Sequence, residues 1–270
     1  MRKLIIIFTI LLVPTITIGQ KKRVAFNMKD FNEKFDLVLW LSEYDAIAWL
    51  SSDSVMVQDQ NELKKLGPEW FCFKDSDGIW HAAYGRLNED LYDLVFHFKV
   101  DKEYRVIKSS EMIDSSLLNS HAKALRTVNN KLKQLKDSVN ISFNQFIRQN
   151  RNKTFDIWIL PAFQTNGVAV YGGEFHYIVD QTGGNIISQD SYYQGVFRGF
   201  KADPPREIWL NYRDKIDPTL GSIFFAWYYK KYFTSIKIDN KDYFSTPFKD
   251  GENYTWLHVQ KEKTNEKRKK

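Results

Sequence analysis

The chain has 270 residues, 43% hydrophobic and 16% aromatic, which is ample for a core and excludes wholesale disorder. Its single cysteine, Cys72, excludes a disulfide framework and a cysteine-based zinc ribbon. The formal net charge is +6, from 39 basic and 33 acidic residues, which at face value points to an anionic partner.

In chain order, Arg2 and Lys3 precede an apolar run from Leu4 to Val13, followed by Pro14 and the small residues Thr17 and Gly19. This is the layout of a secretory signal peptide over residues 1–20. The run is too short for a bilayer core of about 30 Å, and no later stretch is long enough to span one. No cysteine stands at the cleavage point to carry a lipid. The expectation is therefore an exported chain, periplasmic or secreted, that is not an integral membrane protein, and export argues against a nucleic-acid partner.

Phe31 to Leu50 predicts a helix, since Phe31, Phe35, Val38, Ala46 and Trp49 recur at helical spacing and Asp30 can cap the start. From Glu69 the period falls to two. Glu69 to Lys74, the turn Asp75-Ser76-Asp77-Gly78 and Ile79 to Gly85 form a hairpin, and Leu91 to Val100 adds a third strand. Residues 21–114 are thus expected as a helix-plus-hairpin unit. A long amphipathic basic helix is predicted within 115–152. Its seam of Leu118, Leu125, Val128, Leu132, Leu135, Val139 and Phe146 runs from Ser115 to Gln149.

An antiparallel β region is expected over 153–260, with a second Asp-x-x-Gly hairpin at Asp180 to Gly183. Ser222 to Phe233 is ambiguous: Asp217-Pro218 suits a helix start, but the aromatic density favours strands, and the weight falls on strands. Residues 261–270 hold six basic and two acidic residues and no apolar ones, which predicts a disordered basic tail able to tether to an anionic surface. The fold class is α+β, two long helices packed on antiparallel sheets with the larger β region after the central helix. No internal repeat is visible beyond the two hairpins.

Candidate chemistry is sparse. None of the five histidines pairs with another at metal-ligand spacing, so no metal or cofactor is expected. In Glu174-Phe175-His176 a carboxyl and an imidazole share one strand face, which makes Glu174 and His176, with His97 from another strand, the candidate acid/base or metal-binding residues. A four-residue turn at 75–78 would set Cys72 opposite His81, a conceivable nucleophile and base. Ser120-His121-Ala122-Lys123 matches S-x-x-K, but no K-T-G accompanies it. Asp75 to Gly78 opens like a calcium loop and lacks the later ligands. Trp227, Tyr228 and Tyr229 are the candidate binding residues, as rings that would stack on sugars or on a protein if exposed.

Glu69 to Gly85 and Ile159 to Ser188 resemble uncharacterised exported bacterial proteins that share a Leu-Pro-Ala stretch, Gly-Gly-Glu/Asp and an Asp-x-x-Gly hairpin. The hairpin from Glu174 also resembles small periplasmic modules of the PepSY type. Neither resemblance implies an activity.

The leading expectation is an exported envelope protein that binds without catalysis, its partner a protein or an envelope polymer. The alternatives are an envelope hydrolase with a His/Glu site and a carbohydrate-binding module. The charge refines this. Residues 20–260 hold as many acids as bases, but 121–153 contain eight bases and one acid, Asp137. Lys123, Arg126, Lys131, Lys133 and Lys136 are therefore expected either to neutralise the protein's own sheets or to face an acidic surface.

Overall fold

The computed structural model describes residues 25–262. The predicted signal peptide and residues 263–270 of the tail lie outside them. Helix α1 (Met28–Met56) and the short α2 (Gln60–Leu63) precede β1 (Trp70–Lys74), β2 (Trp80–Asn88), β3 (Leu91–Val100) and β4 (Val106–Lys108). Helix α3 (Ser115–Ser138) precedes β5 (Phe143–Gln149), β6 (Phe155–Pro161), β7 (Val168–Val179) and β8 (Ile186–Lys201). Strand β9 (Glu207–Tyr212), α4 (Leu220–Tyr228), β10 (Ser235–Asn240), β11 (Tyr243–Asp250) and β12 (Asn253–Gln260) follow.

The class is α+β, with three four-stranded sheets. The first orders β1-β2-β3-β4, the second β5-β6-β7-β8 and the third β12-β11-β10-β9. All pairings are antiparallel except β9 with β10. Three helices, α1, α3 and α4, each lead into an antiparallel meander, a repetition of topology that no sequence repeat announces.

Several local expectations are corrected. The N-cap of α1 is Asn27, whose side chain accepts the Asp30 N–H, and Trp49 is 60% exposed. The buried face instead uses Phe31, Val38, Leu41, Ile47, Ala48 and Val55. Helix α3 stops at Ser138, and Val139 is extended. The stretch beyond it is β-branched and aromatic, and it pairs in register with β6 from Phe143 to Gln149. Its seam residue Phe146 is buried as a strand residue. Leu220 to Tyr228 is helical, since the Thr219 side chain accepts the Ser222 N–H, and α4 packs on α1, β7 and β10, which accounts for rings all around it.

The first two sheets lie edge to edge between helices. On one side α1 brings Tyr44 to the seam: its hydroxyl accepts the Cys72 N–H of β1 (2.9 Å), bonds the Ile147 backbone of β5, and its ring meets Phe146. On the other side α3 lays His121 against Phe71 of β1 and Phe155 of β6. The α1 face of the second sheet carries Asp156, Trp158, Glu174 and His176. There α1 and the start of α4 leave a gap.

The five basic residues of α3 divide. Lys123 pairs with Asp90 (2.9 Å) and Arg126 with buried Glu69 (2.8 Å), while Lys136 is half-buried beside Asn129. Lys131 and Lys133 are exposed. Among the described residues no helix is long and apolar enough to cross a membrane.

Candidate functional site

Strand pairing assembles the site. Across the second sheet Trp158 lies opposite His176, and His176 opposite Asp190; one step along, Glu174 lies opposite Tyr192. These side chains floor a cleft of about 770 Å³. Its walls are Lys34 and Leu37 of α1 and the segment 214–220 that leads into α4.

His176 and Asp156 form the central pair, Nε2 to Oδ1 at 2.9 Å. The Arg148 guanidinium donates to the other Asp156 oxygen at 3.3 Å and stacks over Trp158, 5.0 Å from its centroid. His176 lies flat on the same indole, 5.0 Å away at 8°. Burial alone would raise the Asp156 pKa, but the bonds from His176 and Arg148 hold it below the usual carboxylate range. Because Asp156 accepts, the Nε2 of His176 carries the proton. Its Nδ1 has no hydrogen-bond partner among the described residues.

Glu174 is half-buried and accepts the backbone N–H of Gly221 in the first turn of α4. Burial pushes its pKa up to about 7, against the lowering effect of Gly221, Thr219 and Lys34. A Cβ at Gly221 would lie 2.4 Å from the Glu174 carboxylate, so a larger residue there would have to displace that side chain. Around the cleft, Tyr192 donates to Asp214 (2.8 Å), Lys215 sits 4.1 Å over the Tyr192 ring, and Lys34 pairs with Asp30 (2.7 Å). Asp190 is exposed and has no partner among the described residues.

Two of the three acid/base candidates, Glu174 and His176, are brought together. His97 is not in the cleft. It stands in the first sheet, where its Nε2 meets His81 Nδ1 at 2.9 Å and Asp75 holds the far side of His81 at 3.0 Å. The Cys72–His81 pairing is also corrected. The loop between β1 and β2 has five residues, so Cys72 faces Ala82 and Phe73 faces His81. The Cys72 thiol is fully buried and its pKa is pushed far up by that burial.

The aromatic candidates pack inward. Tyr229 is 1% exposed, Tyr228 donates to Asp45, and Trp227 is half-buried between Phe35 (4.7 Å) and Trp256 (6.1 Å). Arg148, Asp156, Trp158, Asp190 and Tyr192 were not foreseen. Asp156 and Trp158 stand two apart on one strand, so alternation alone places them on a common face, whereas Asp190 depends on a register that no local pattern fixes.

Among the described residues no group of three or more His, Cys, Asp or Glu is placed to hold a metal ion. The chain matches no protein-family model, no curated protein and no solved structure.

Proposed function

We propose that this chain is an exported binding protein of the cell envelope, acting without catalysis, and that the cleft takes a ligand bearing a cationic group. The charge of the lining carries this reading. Asp156, Glu174, Asp190, Asp214 and Asp217 outnumber Lys34, Arg148 and Lys215, and Asp190 has no protein counter-charge among the described residues. A pocket with an aromatic floor and a few fixed polar groups is the usual form of a ligand site. The test is a thermal-shift and titration series with primary amines and matched carboxylic acids. Amines should bind, about tenfold more weakly to Asp190→Asn, and more tightly at pH 8 than at pH 6 because Glu174 ionises near 7. Preference for the carboxylic acids, or unchanged affinity in Asp190→Asn, would reject the reading.

A second reading, an envelope hydrolase, is favoured by one observation: a His176 oriented by Asp156 with its Nδ1 free, two residues from a Glu174 that is protonated near neutrality. In it, His176 removes a proton from water and Glu174 protonates the leaving group. Hydrolysis of an envelope polymer by the wild type, abolished in His176→Gln, would replace the first reading with this one.

A further inference from the structure

The second sheet ends on an uncovered strand edge that borders the cleft. Its other edge, β5, meets the first sheet, whereas β8 is last in the order and pairs only with β7. The pairing with β7 is unbroken from Ser188 to Tyr193, six residues that span about 20 Å. The hairpin turn bounds this stretch at one end. At the other, residues 194–197 have no partner in β7, Gly195 is left-handed at φ 77°, and the Gln194 side chain donates to the Asn211 carbonyl of β9 at 2.7 Å. Residues 187–191 are all exposed, so both faces of β8 are open there. Among the described residues no backbone hydrogen bond reaches 188–193 from outside β7.

The chemistry of this edge indicates what completes it. A row of unpaired N–H and C=O groups at strand spacing is matched by another strand, and proteins usually blunt such an edge with lysine, proline or a bulge. Ser188 to Tyr193 contains none of these, and its one charge is Asp190. Asp190 continues the cross-strand row of Trp158 and His176 on the cleft floor. A strand added to β8 therefore sets its next side chain in that row, beside an acid with no ion-pair partner among the described residues. Lys215, the cation at this end of the cleft, is held over the Tyr192 ring, whose hydroxyl bonds Asp214, so those two charges offset each other. A second copy paired antiparallel over 187–193 would put Asp190 against its own counterpart, a like-charge pair that disfavours self-association.

We propose that the edge of β8 takes an extended peptide as an added strand, with a lysine or arginine side chain of that peptide beside Asp190. This names the ligand class of the cleft, and it rests on the cleft accepting a cationic group. Main-chain bonds to 188–193 supply affinity, and alternate side chains supply selectivity. The residue two positions from the basic one falls beside Tyr192, and the intervening residues lie on the sheet's other face with Gln189 and Ser191.

The test uses the chain from residue 21 and the end-blocked pentapeptide threonine-valine-lysine-valine-threonine, with n-butylamine as a probe of the cationic group alone. The peptide should bind about tenfold or more tighter than n-butylamine. Two further forms carry N-methyl groups on the valines alone, or on the lysine and threonines alone, which blocks one edge of the peptide or the other. One form should lose about tenfold in affinity and the other less than about threefold, because only one edge faces β8. Amide exchange along 188–193 should slow with the peptide and not with n-butylamine. If n-butylamine binds but the peptide is no tighter, if the two methylated forms behave alike, or if exchange is unchanged, strand addition is overturned and the cationic cleft stands. If neither probe binds, the cleft reading falls with it. Slow exchange along 188–193 in the free protein that increases with protein concentration would give the edge to a second copy and overturn the proposal.

Discussion

His121 shows how a buried titratable group limits the conditions under which the fold is stable. It is 1% exposed, its Nδ1 bonds the Leu117 carbonyl at 2.8 Å, and its Nε2 is buried with no partner. Burial therefore holds its pKa down to about 4, well below the 6.5 of a free histidine. The unfolded chain takes up a proton that the folded chain refuses. The stability of the neutral form is complete above about pH 6.5 and is lost as pH falls toward 4. His121→Phe keeps an aromatic ring against Phe71 and removes the proton site. Between pH 7 and pH 4 the wild type should lose on the order of 2 kcal/mol more unfolding free energy than the variant. Urea titrations at both pH values decide this, and parallel losses would place the acid sensitivity elsewhere. Glu174 runs the other way. Its raised pKa makes the protonated form the stable one in the fold, so its contribution fades as pH rises toward 7.

At the scale of elements, the two Asp-x-x-Gly hairpins use the same local chemistry for different ends. The carboxylate of Asp75 accepts the N–H groups of Asp77 and Ile79, and that of Asp180 accepts those of Gly184 and Asn185. Both glycines are left-handed, with φ of 79° at Gly78 and 78° at Gly183. Only the second meets a neighbour. A Cβ at Gly183 would lie 2.4 Å from the Ser120 carbonyl and 2.7 Å from the Ala124 nitrogen of α3, whereas nothing lies within 4 Å at Gly78. Thr127 ties the same turn to α3 through the Gly183 carbonyl at 2.8 Å. Gly78→Ala should cost only the backbone strain, about 1 kcal/mol, and Gly183→Ala about 3 kcal/mol or more, because the hairpin must lift off the helix. Chemical unfolding of both variants measures the difference, and equal costs would mean that the turn does not dock as described.

Register is what the sequence leaves open at this scale. Period-two alternation puts Glu174 and His176 on one face correctly, because that depends only on the strand itself. What lies opposite depends on the turn. A hairpin closed by Asp180 and Asn185 and continued without interruption would set Gln189 against His176. The irregularity between Ile178 and Val179 moves the register by one residue and brings Asp190 there instead. The same one-residue shift separates Cys72 from His81. Strand bounds such as Leu91–Val100 were legible, being flanked by turn residues. The end of α3 was not, because a heptad-like spacing continues by coincidence into β5. Nor was α4, because a helix enclosed on several sides has no polar stripe.

For the whole molecule, the covering of the first sheet decides whether residues 21–114 can stand as a unit. That sheet is sandwiched. Tyr44 and Ser51 of α1 meet one face through the Cys72 N–H and the Tyr84 hydroxyl, and His121 of α3 closes the other against Phe71. Arg126 of α3 is the ion-pair partner of Glu69, which is 6% exposed, and Asn119 accepts the Tyr92 N–H. A fragment ending at 114 would expose the α3 face to water and leave the Glu69 carboxylate without its cation. Leaving so buried a carboxylate without its cation is costly in itself, by about 1–3 kcal/mol. The total stability of a domain is only about 5–15 kcal/mol, so the fragment should not fold. Residues 21–114 should give a collapsed amide spectrum, and the chain from residue 21 should unfold in one step, with tryptophan fluorescence and far-ultraviolet circular dichroism coincident. A dispersed spectrum from the fragment, or two separated transitions, would show that α3 belongs to the second sheet alone. In that case its charge would be free to face a partner, because the Lys123–Asp90 and Arg126–Glu69 pairs would no longer be what holds the helix in place.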